Sequence, residues 1–450
     1  MSHDVIVAGA GPTGLMLAGE LALGGARVLV LERLTARTGQ SKALNLQPRS
    51  AEVLASRGLL DDLLTVALAR LPAGHFAGLP LDYSQLPTPY PYQIGIPQAR
   101  VEERLAEWAS SLGAEIRYGE ELKSFSQDDA AVTVNGERAG YLVGCDGGRS
   151  LVRKQLGVAF PGRDARMCAL VADVTLADGG PADWELPAPK GDGLLTVLPL
   201  GDGVFRVLAA GPAQMAAGRD TPVPDDEVAE ALARNDLELG EVRWASRFTD
   251  TTRQAAQYRT GRVFLAGDAA HVHSPAGGQG LNLGLQDAFN LGWKLAEVIR
   301  GEAGDDLLDT YHAERHPVAA RVLESTRAQG VLFVPDEDVH ALRHMFTELV
   351  DTRALAMRVA GLDHGNRLHG LDLTLLHDGR RHTVDTPGGP VTIRPDGFVE
   401  AVSQRRREKL TTTPPTAPAG QRTTIAEPTT WGTAGGTLGG GVRTAWQAGR

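Results

Sequence analysis

Apolar residues follow two periods along this chain, and each change of period marks an element. Residues 4–8 form an apolar strand run, 15–24 carry helical spacing, and 27–31 are a second strand ending at Glu32. Residues 48–60 read as a helix closed by Arg57-Gly58. The stretch 71–97 holds Pro72, Pro80, Pro87, Pro89, Pro91 and Pro97, a density no helix survives, and reads as extended chain. From Pro97 an amphipathic helix puts Val101, Leu105, Trp108 and Ala109 on one face. Residues 130–134 and 138–143 are strands joined at the hairpin pair Asn135-Gly136, and 151–156 are a short helix. Between 160 and 255 the period is two. Residues 168–176, 194–199, 204–209 and 244–249 predict a mostly antiparallel sheet, with a helix over 224–233 opened by proline and acids. Residues 263–266 return to an apolar strand run, and 281–295 predict a helix. Two more helices are predicted over 305–315 and 318–329, separated by His316-Pro317. Helical spacing continues over 331–369, and 391–402 predict a hairpin about Pro395-Asp396-Gly397.

Three strands end in a similar way. Strand 4–8 runs into Gly9-Ala10-Gly11-Pro12-Thr13-Gly14 and a helix. Gly9 allows the tight turn, Gly11 lets backbone approach a pyrophosphate, Gly14 lets helix and strand pack closely, and Glu32 is placed to accept from ribose hydroxyls. This dinucleotide fingerprint fits FAD and NAD alike, because both present the same ADP half. Strand 138–143 leads to Cys145-Asp146-Gly147-Gly148-Arg149-Ser150 and another helix start, which alone would read as an ordinary Asp-Gly turn. Strand 263–266 stops at Gly267-Asp268. A loop with Pro275, Gly277, Gly278 and Gly280 follows, then a helix from Leu281-Asn282. Ligands of open α/β sheets sit at the carboxyl ends of strands, and helix N-termini offer free N–H groups and a positive dipole end. An acid able to hold a ribityl hydroxyl beside such a helix end suits a flavin.

Composition narrows the partners. With 450 residues and 42% hydrophobic content there is room for two to three domains with real cores. Lys+Arg 45 against Asp+Glu 55 gives −10, which argues against a nucleic-acid or anionic-membrane partner. Cys145 and Cys168 are the only cysteines, so no disulfide framework or cysteine-rich metal site organises the chain. The apolar stretch 5–31 lacks a basic lead and is broken by Glu20, Arg27 and glycines, so neither a signal nor a membrane span is expected. A soluble cytoplasmic protein is the reading.

Several residues carry two readings at once. Arg33, Arg37, Lys42 and Arg49 are either a solvated basic face or anchors for pyrophosphate and for a nicotinamide donor's phosphates. Tyr83, Tyr90 and Tyr92 either line an apolar pocket or pack an interface. Gln98 and Arg100 sit at a helix N-terminal end, available to a ligand. His271 and His273 have i, i+2 spacing with no carboxylate in the following loop, so no metal is expected and His271 reads as a structural hydrogen-bonder. No GxSxG or HExxH pattern occurs, leaving hydrolase readings unsupported. Residues 403–450 combine a basic run with Thr/Pro clusters and glycines and are expected to be a disordered tail.

In this order and spacing the three glycine-acid motifs resemble those of the class A flavin-dependent aromatic monooxygenases, the para-hydroxybenzoate hydroxylase fold, over residues 1–370. They are most similar to bacterial hydroxylases of anthracycline-, angucycline- or tetracycline-type aromatic polyketides. The resemblance implies an α/β architecture with a discontinuous Rossmann-like FAD-binding domain over 1–70, 97–159 and 256–330. It implies an inserted, mostly antiparallel substrate domain over 71–96 and 160–255, and a helical C-terminal part over 331–402. Residues 391–402 resemble the final strands of the thioredoxin-like domain of longer members, and the residues after 403 resemble nothing in the family.

By the same resemblance FAD is held by Gly9, Gly11, Pro12, Thr13, Gly14, Glu32, Gln98, Arg100, Asp146, Gly147, Gly267 and Asp268, with Arg33 and Lys42 as further candidates for cofactor binding. Pro275, Gly278, Gly280, Leu281 and Asn282 lie beside the isoalloxazine and position it. NADPH (or NADH) is the implied electron donor and O2 the co-substrate, acting through a flavin C4a-hydroperoxide, with no dedicated catalytic residue of the protein. A monomer or homodimer is implied. Baeyer–Villiger oxygenation of a polyketide ketone and inactivation of a tetracycline-type drug use the same motifs and stay open.

Overall fold

Apolar strands that alternate with helices pair in parallel and are buried on both faces, whereas period-two strands pair antiparallel with one face covered. The computed structural model holds both kinds; it describes residues 2–400 apart from 185, 186, 188, 191, 192, 369 and 388. The tail expected over 403–450 lies outside the described residues. The chain opens with β1 (His3–Ala8), α1 (Pro12–Leu23) and β2 (Val28–Glu32), then α2 (Gln98–Ser111), β3 (Glu115–Tyr118) and β4 (Glu137–Gly144). It leaves to build β5 (Cys168–Leu176), β6 (Gly193–Gly201), β7 (Val204–Ala210) and β8 (Leu239–Thr249). It returns with β9 (Val263–Leu265), α3 (Gln279–Ile299) and α4 (Asp306–Leu332).

The first sheet has a parallel core in the order β3-β2-β1-β4-β9, extended by three short antiparallel strands. Strand order reverses at β1, so a crevice opens at the carboxyl ends of β1 and β4. Small residues let the helices over this sheet pack closely against one another. A Cβ on Gly19 would lie 2.0 Å from the Trp108 ring of α2, and one on Gly292 of α3 would lie 2.4 Å from Glu20 Cβ. The second sheet is antiparallel, with β6-β7-β5-β8 in order, and the helix Asp225–Ala233 buries Val228 and Leu232 against it.

Three expectations change. The helix expected over 48–60 is two, Pro48–Ala55 and Leu60–Thr65, because Gly58 turns through φ +69° between them. The break expected at His316-Pro317 does not occur, and α4 runs 27 residues through it. An interior proline costs about 3 kcal/mol. Tyr311, Val318, Ala319 and Leu323 are buried on both sides of it, and the His316 carbonyl accepts from Gln254 Nε2 at 2.8 Å. Helix over 331–369 resolves into Glu337–Leu349 and Thr352–Val359, N-capped by Asp336 and Asp351, and stops at Gly361 with φ +75°. The hairpin expected about Pro395-Asp396-Gly397 forms, with Ile393 bridged to Val399 and Arg394 N donating to Phe398 O at 2.8 Å, and a further hairpin lies upstream, where His382–Thr386 pairs with Gly389–Ile393. The Pro395-Asp396-Gly397 turn is drawn inward: Asp396 is buried and accepts from Trp293 Nε1 and Asn290 Nδ2 at 3.1 Å each.

A buried ion pair fastens that C-terminal segment to the first βαβ unit. Arg57 donates to both oxygens of Glu20 at 2.6 and 2.9 Å, to Leu376 O at 2.5 Å and to Pro395 O at 3.1 Å. Burial raises the Glu20 carboxyl above its usual pKa against the pull of Arg57. Such a pair adds little net stability, but removing one partner strands the other. Glu20→Gln is expected to lower stability by about 3–5 kcal/mol, read as a lower urea midpoint at unchanged slope.

Candidate active site

The carboxyl ends of the parallel strands bring the separate motifs to one edge. Gly9 follows β1, Glu32 ends β2, Cys145-Asp146 follow β4, and Gly267-Asp268 follow β9. The backbone stitches these ends together: Gly9 N donates to Leu31 O, Cys145 N to Ala8 O and Ala266 N to Gly144 O. Each glycine of the first motif has its own reason. A Cβ on Gly9 (φ +104°) would meet Cys145 O at 2.5 Å, and one on Gly14 would meet Gly9 O at 2.0 Å. A Cβ on Gly11 meets nothing within 4 Å. Gly11 therefore faces an open cradle, at the N-terminus of α1, which no side chain caps. Pro12 and Thr13 begin that helix, and Thr13 Oγ1 touches the Gly267 turn and Gly284 of α3.

Asp268 is the one exposed residue in an otherwise buried run over 263–270. It makes no hydrogen bond among the described residues. Its turn is held from below by Asp287 of α3, which is fully buried and accepts from Gly267 N at 3.2 Å, Arg315 Nε at 2.7 Å and His271 Nε2 at 2.6 Å. Burial opposes ionisation of Asp287, but Arg315 and His271 outweigh it and hold the carboxyl below its usual pKa.

The N-terminus of α3 opens beside this turn. Gly277 and Gly278 adopt φ +74° and +62°, and no side chain caps the helix, so its first N–H groups at Gln279, Gly280 and Leu281 lack intrahelical acceptors. Pro275 is exposed at the mouth of the loop. Asn282 is spent inside the protein: Oδ1 accepts from Gln47 N at 2.8 Å, and Nδ2 donates to Asn45 O and Gly278 O. His273, lowered in pKa by burial, lies under Gly280.

Other expected residues take different positions. Glu32 accepts from Ala10 N and Leu34 N, one at each oxygen, so each oxygen keeps a lone pair for a hydroxyl. Asp146 Oδ2 accepts from Leu151 N and Val152 N at the next helix, while its buried Oδ1 has no partner among the described residues. Gly147, at φ +79°, leaves open space beside it. Gln98 is engaged by Ala43 N and Glu102, and Arg100 is exposed and pairs with Glu103. Arg33 and Lys42 are exposed, with no ion pair among the described residues.

Sequence reasoning missed a buried polar layer behind the loop. Gln47 Nε2 donates to Gly277 O, Tyr83 Oη donates to Gln47 Oε1, and Asn45 Nδ2 donates to Gln93 Oε1. The alternation of Asn45 and Gln47 ahead of Pro48 was its only local sign. It also missed Arg206 of β7, which pairs with Asp173 and donates to Ser41 O at 2.6 Å, tying the second sheet to the loop before Gln47.

Two uncapped helix N-termini, an open glycine cradle and an exposed carboxylate thus share one edge, which fits a pyrophosphate, a polyol chain and an anionic ring. A family model described as an FAD binding domain matches residues 2–326. The chain belongs to the FAD binding domain family. It is an FAD-dependent monooxygenase, in line with two monooxygenases to which it is similar. It is 44% identical to the rifampicin monooxygenase of Streptomyces venezuelae, over 91% of this chain and 98% of that one. It is 46% identical to the 12-dehydrotetracycline 5-monooxygenase/anhydrotetracycline 6-monooxygenase of Streptomyces rimosus, over 80% of this chain and 76% of that one. Among solved structures it superposes on the anhydrotetracycline hydroxylase of Streptomyces rimosus with a TM-score of 0.80 and 40% identity, covering 89% of this chain and 95% of that one. Among the described residues no helix is long and apolar enough to cross a membrane, and no group of side chains could hold a metal ion.

The glycines separate fold from ligand. Gly11→Val is expected to abolish FAD retention and to melt near the flavin-free parent, whereas Gly14→Val is expected to melt below it because the protein itself is destabilised; flavin absorbance and thermal unfolding of both variants and of the flavin-free parent check this. Asp268→Ala, losing a hydrogen bond to a charged group worth about 1.5–3 kcal/mol, is expected to weaken FAD binding roughly 10- to 100-fold by fluorescence titration.

Proposed function

We propose that this protein hydroxylates an aromatic polyketide of the tetracycline, anthracycline or angucycline type, using NADPH and O2. The reading rests on the match to the anhydrotetracycline monooxygenase across the region that carries the strand-end motifs and the second sheet. Bound FAD supplies the redox chemistry that activates O2. The chain's part is placement, charge and exclusion of water. The α1 N-terminus and Gly11 receive the pyrophosphate, Glu32 the adenosine ribose and Asp268 the ribityl hydroxyls. The α3 N-terminus faces the ring and favours negative charge on it by up to about 2 kcal/mol. Arg33 and Lys42, exposed and without an ion pair among the described residues, are positioned for the phosphates of the nicotinamide donor. A phenolic polyketide is electron-rich, so no protein base is assigned.

One observation favours a second reading. The match to the rifampicin monooxygenase covers 98% of that relative, against 76% for the tetracycline enzyme. A flavoenzyme that inactivates a multi-ring drug fits that coverage.

The test is anaerobic bleaching of the purified holoprotein by NADPH, with and without a panel of aromatic polyketides and rifamycins. A polyketide that accelerates bleaching and returns with one added oxygen at a ring carbon supports hydroxylation. Acceleration by rifamycins alone supports the second reading, and a protein that carries no flavin overturns both.

A further inference from the structure

A cavity of about 20 Å³ lies beneath the N-terminus of α3, between α3, α4 and the helix Thr352–Val359. Gln47, Gln279 and Asn282 form its inner wall; Arg321, Arg358 and Asp363 form its outer lip. A second cavity of about 10 Å³ adjoins it, shares Gln286 and His364 with it, and reaches Arg49, Asn290 and Asp396. Apolar voids stay dry, but a void that admits a water-sized sphere and has polar walls holds water. Two wall groups want a partner. Gln279 Nε2 belongs to a residue 4% exposed and has no partner among the described residues. The amide of Gln286, 7% exposed, also makes no hydrogen bond among them.

His364 stands where the two cavities meet. Its Nδ1 is 3.4 Å from Asp363 Oδ1 at the lip, and its Nε2 is 3.5 Å from Arg315 Nη1, the arginine that holds Asp287. Burial brings its pKa to about 4 against the pull of Asp363, with Arg315 and Arg49 adding to the fall. The ring is therefore neutral near pH 7, with one nitrogen donating and the other accepting.

The reaction read above needs such a route. Per turnover the nicotinamide donor gives a hydride, one oxygen atom of O2 enters a substrate C–H bond, and the other leaves as water after one proton is drawn from solvent. A pocket that must otherwise exclude water thus imports a proton and exports a water each cycle. We propose that the cavity is a water-filled passage carrying this proton and this water between solvent and the N-terminus of α3, with His364 as its relay group and Gln286 orienting the water. The inference rests on the monooxygenase reading.

A high-resolution crystal structure of the FAD-loaded protein should show ordered water within hydrogen-bonding distance of Gln279 Nε2, Gln286 and His364. A dry cavity overturns the passage. In His364→Ala, turnover is expected to fall about 100-fold, the lower end of what a positioned proton-transfer group contributes. Anaerobic bleaching by NADPH should keep the parental rate, and added imidazole should restore turnover. Parental turnover in the variant, or a loss that imidazole does not repair, overturns the passage. The parent is assayed alongside. If it neither holds flavin nor bleaches, the monooxygenase reading fails and takes the passage with it; a loss confined to the variant's turnover concerns the passage alone.

Discussion

A carboxylate with no access to water needs a donor for every lone pair it keeps charged, and Asp287 draws its donors from three directions. His271 comes from the strand after the Gly267 turn, Arg315 from α4, and the Gly267 amide from the end of β9. Moving any of these elements alone would strand a buried charge. The end of the parallel sheet, the start of α3 and the middle of α4 are therefore held as one body. Asp268, next in the chain, is left facing outward, and the open N-terminus of α3 is fixed beside it. The site's geometry follows from a residue that touches no ligand.

A second polar strut joins the two sheets. Arg206, the largest fully buried side chain, is held by Asp173 in its own sheet and reaches out to the Ser41 carbonyl. Ser41 Oγ in turn accepts from Ala99 N, and Ala43 is bonded in both directions to Gln98. The loop over 41–47 is thus pinned by the second sheet at one end and by Asn282 of α3 at the other. Directional bonds of this kind fix a register that an apolar seam would leave free to slide.

Local signals carried much of the fold. The strand–glycine–helix units were legible because a tight turn, a close backbone approach and a helix start all fall within six residues. The carboxyl edge where Glu32, Asp146 and Asp268 meet follows once those strands are taken as parallel. What sequence hid was set by distance. Pro317 reads as a helix break, yet packing of Tyr311, Val318 and Leu323 overrides it. Asp287 lies in a stretch that reads as apolar-periodic, and its partners are 16 and 28 residues away. Gln98 and Asn282 were nominated for a ligand by position, and the structure shows their side chains bonded to the protein instead. No spacing rule reveals which neighbour a polar group will choose.

The same helix explains why residues near 380–396 belong to the working enzyme. Gln286, Asp287, Asn290, Lys294 and Glu297 recur at helical spacing along α3 and are all buried. A helix carrying five buried polar side chains cannot be enclosed by apolar neighbours alone. Its partners change along its length. Near the site they are His271 and Arg315, then Glu314 with Asp396 for Asn290 and Lys294, and finally Arg381 for Glu297. Burial draws the Lys294 pKa down to about 8 even with Glu314 against it. The segment over 380–396 thus closes the far end of the helix whose near end opens beside the Gly267 turn. Loosening that segment would wet the stripe from behind and free the start of α3 to shift.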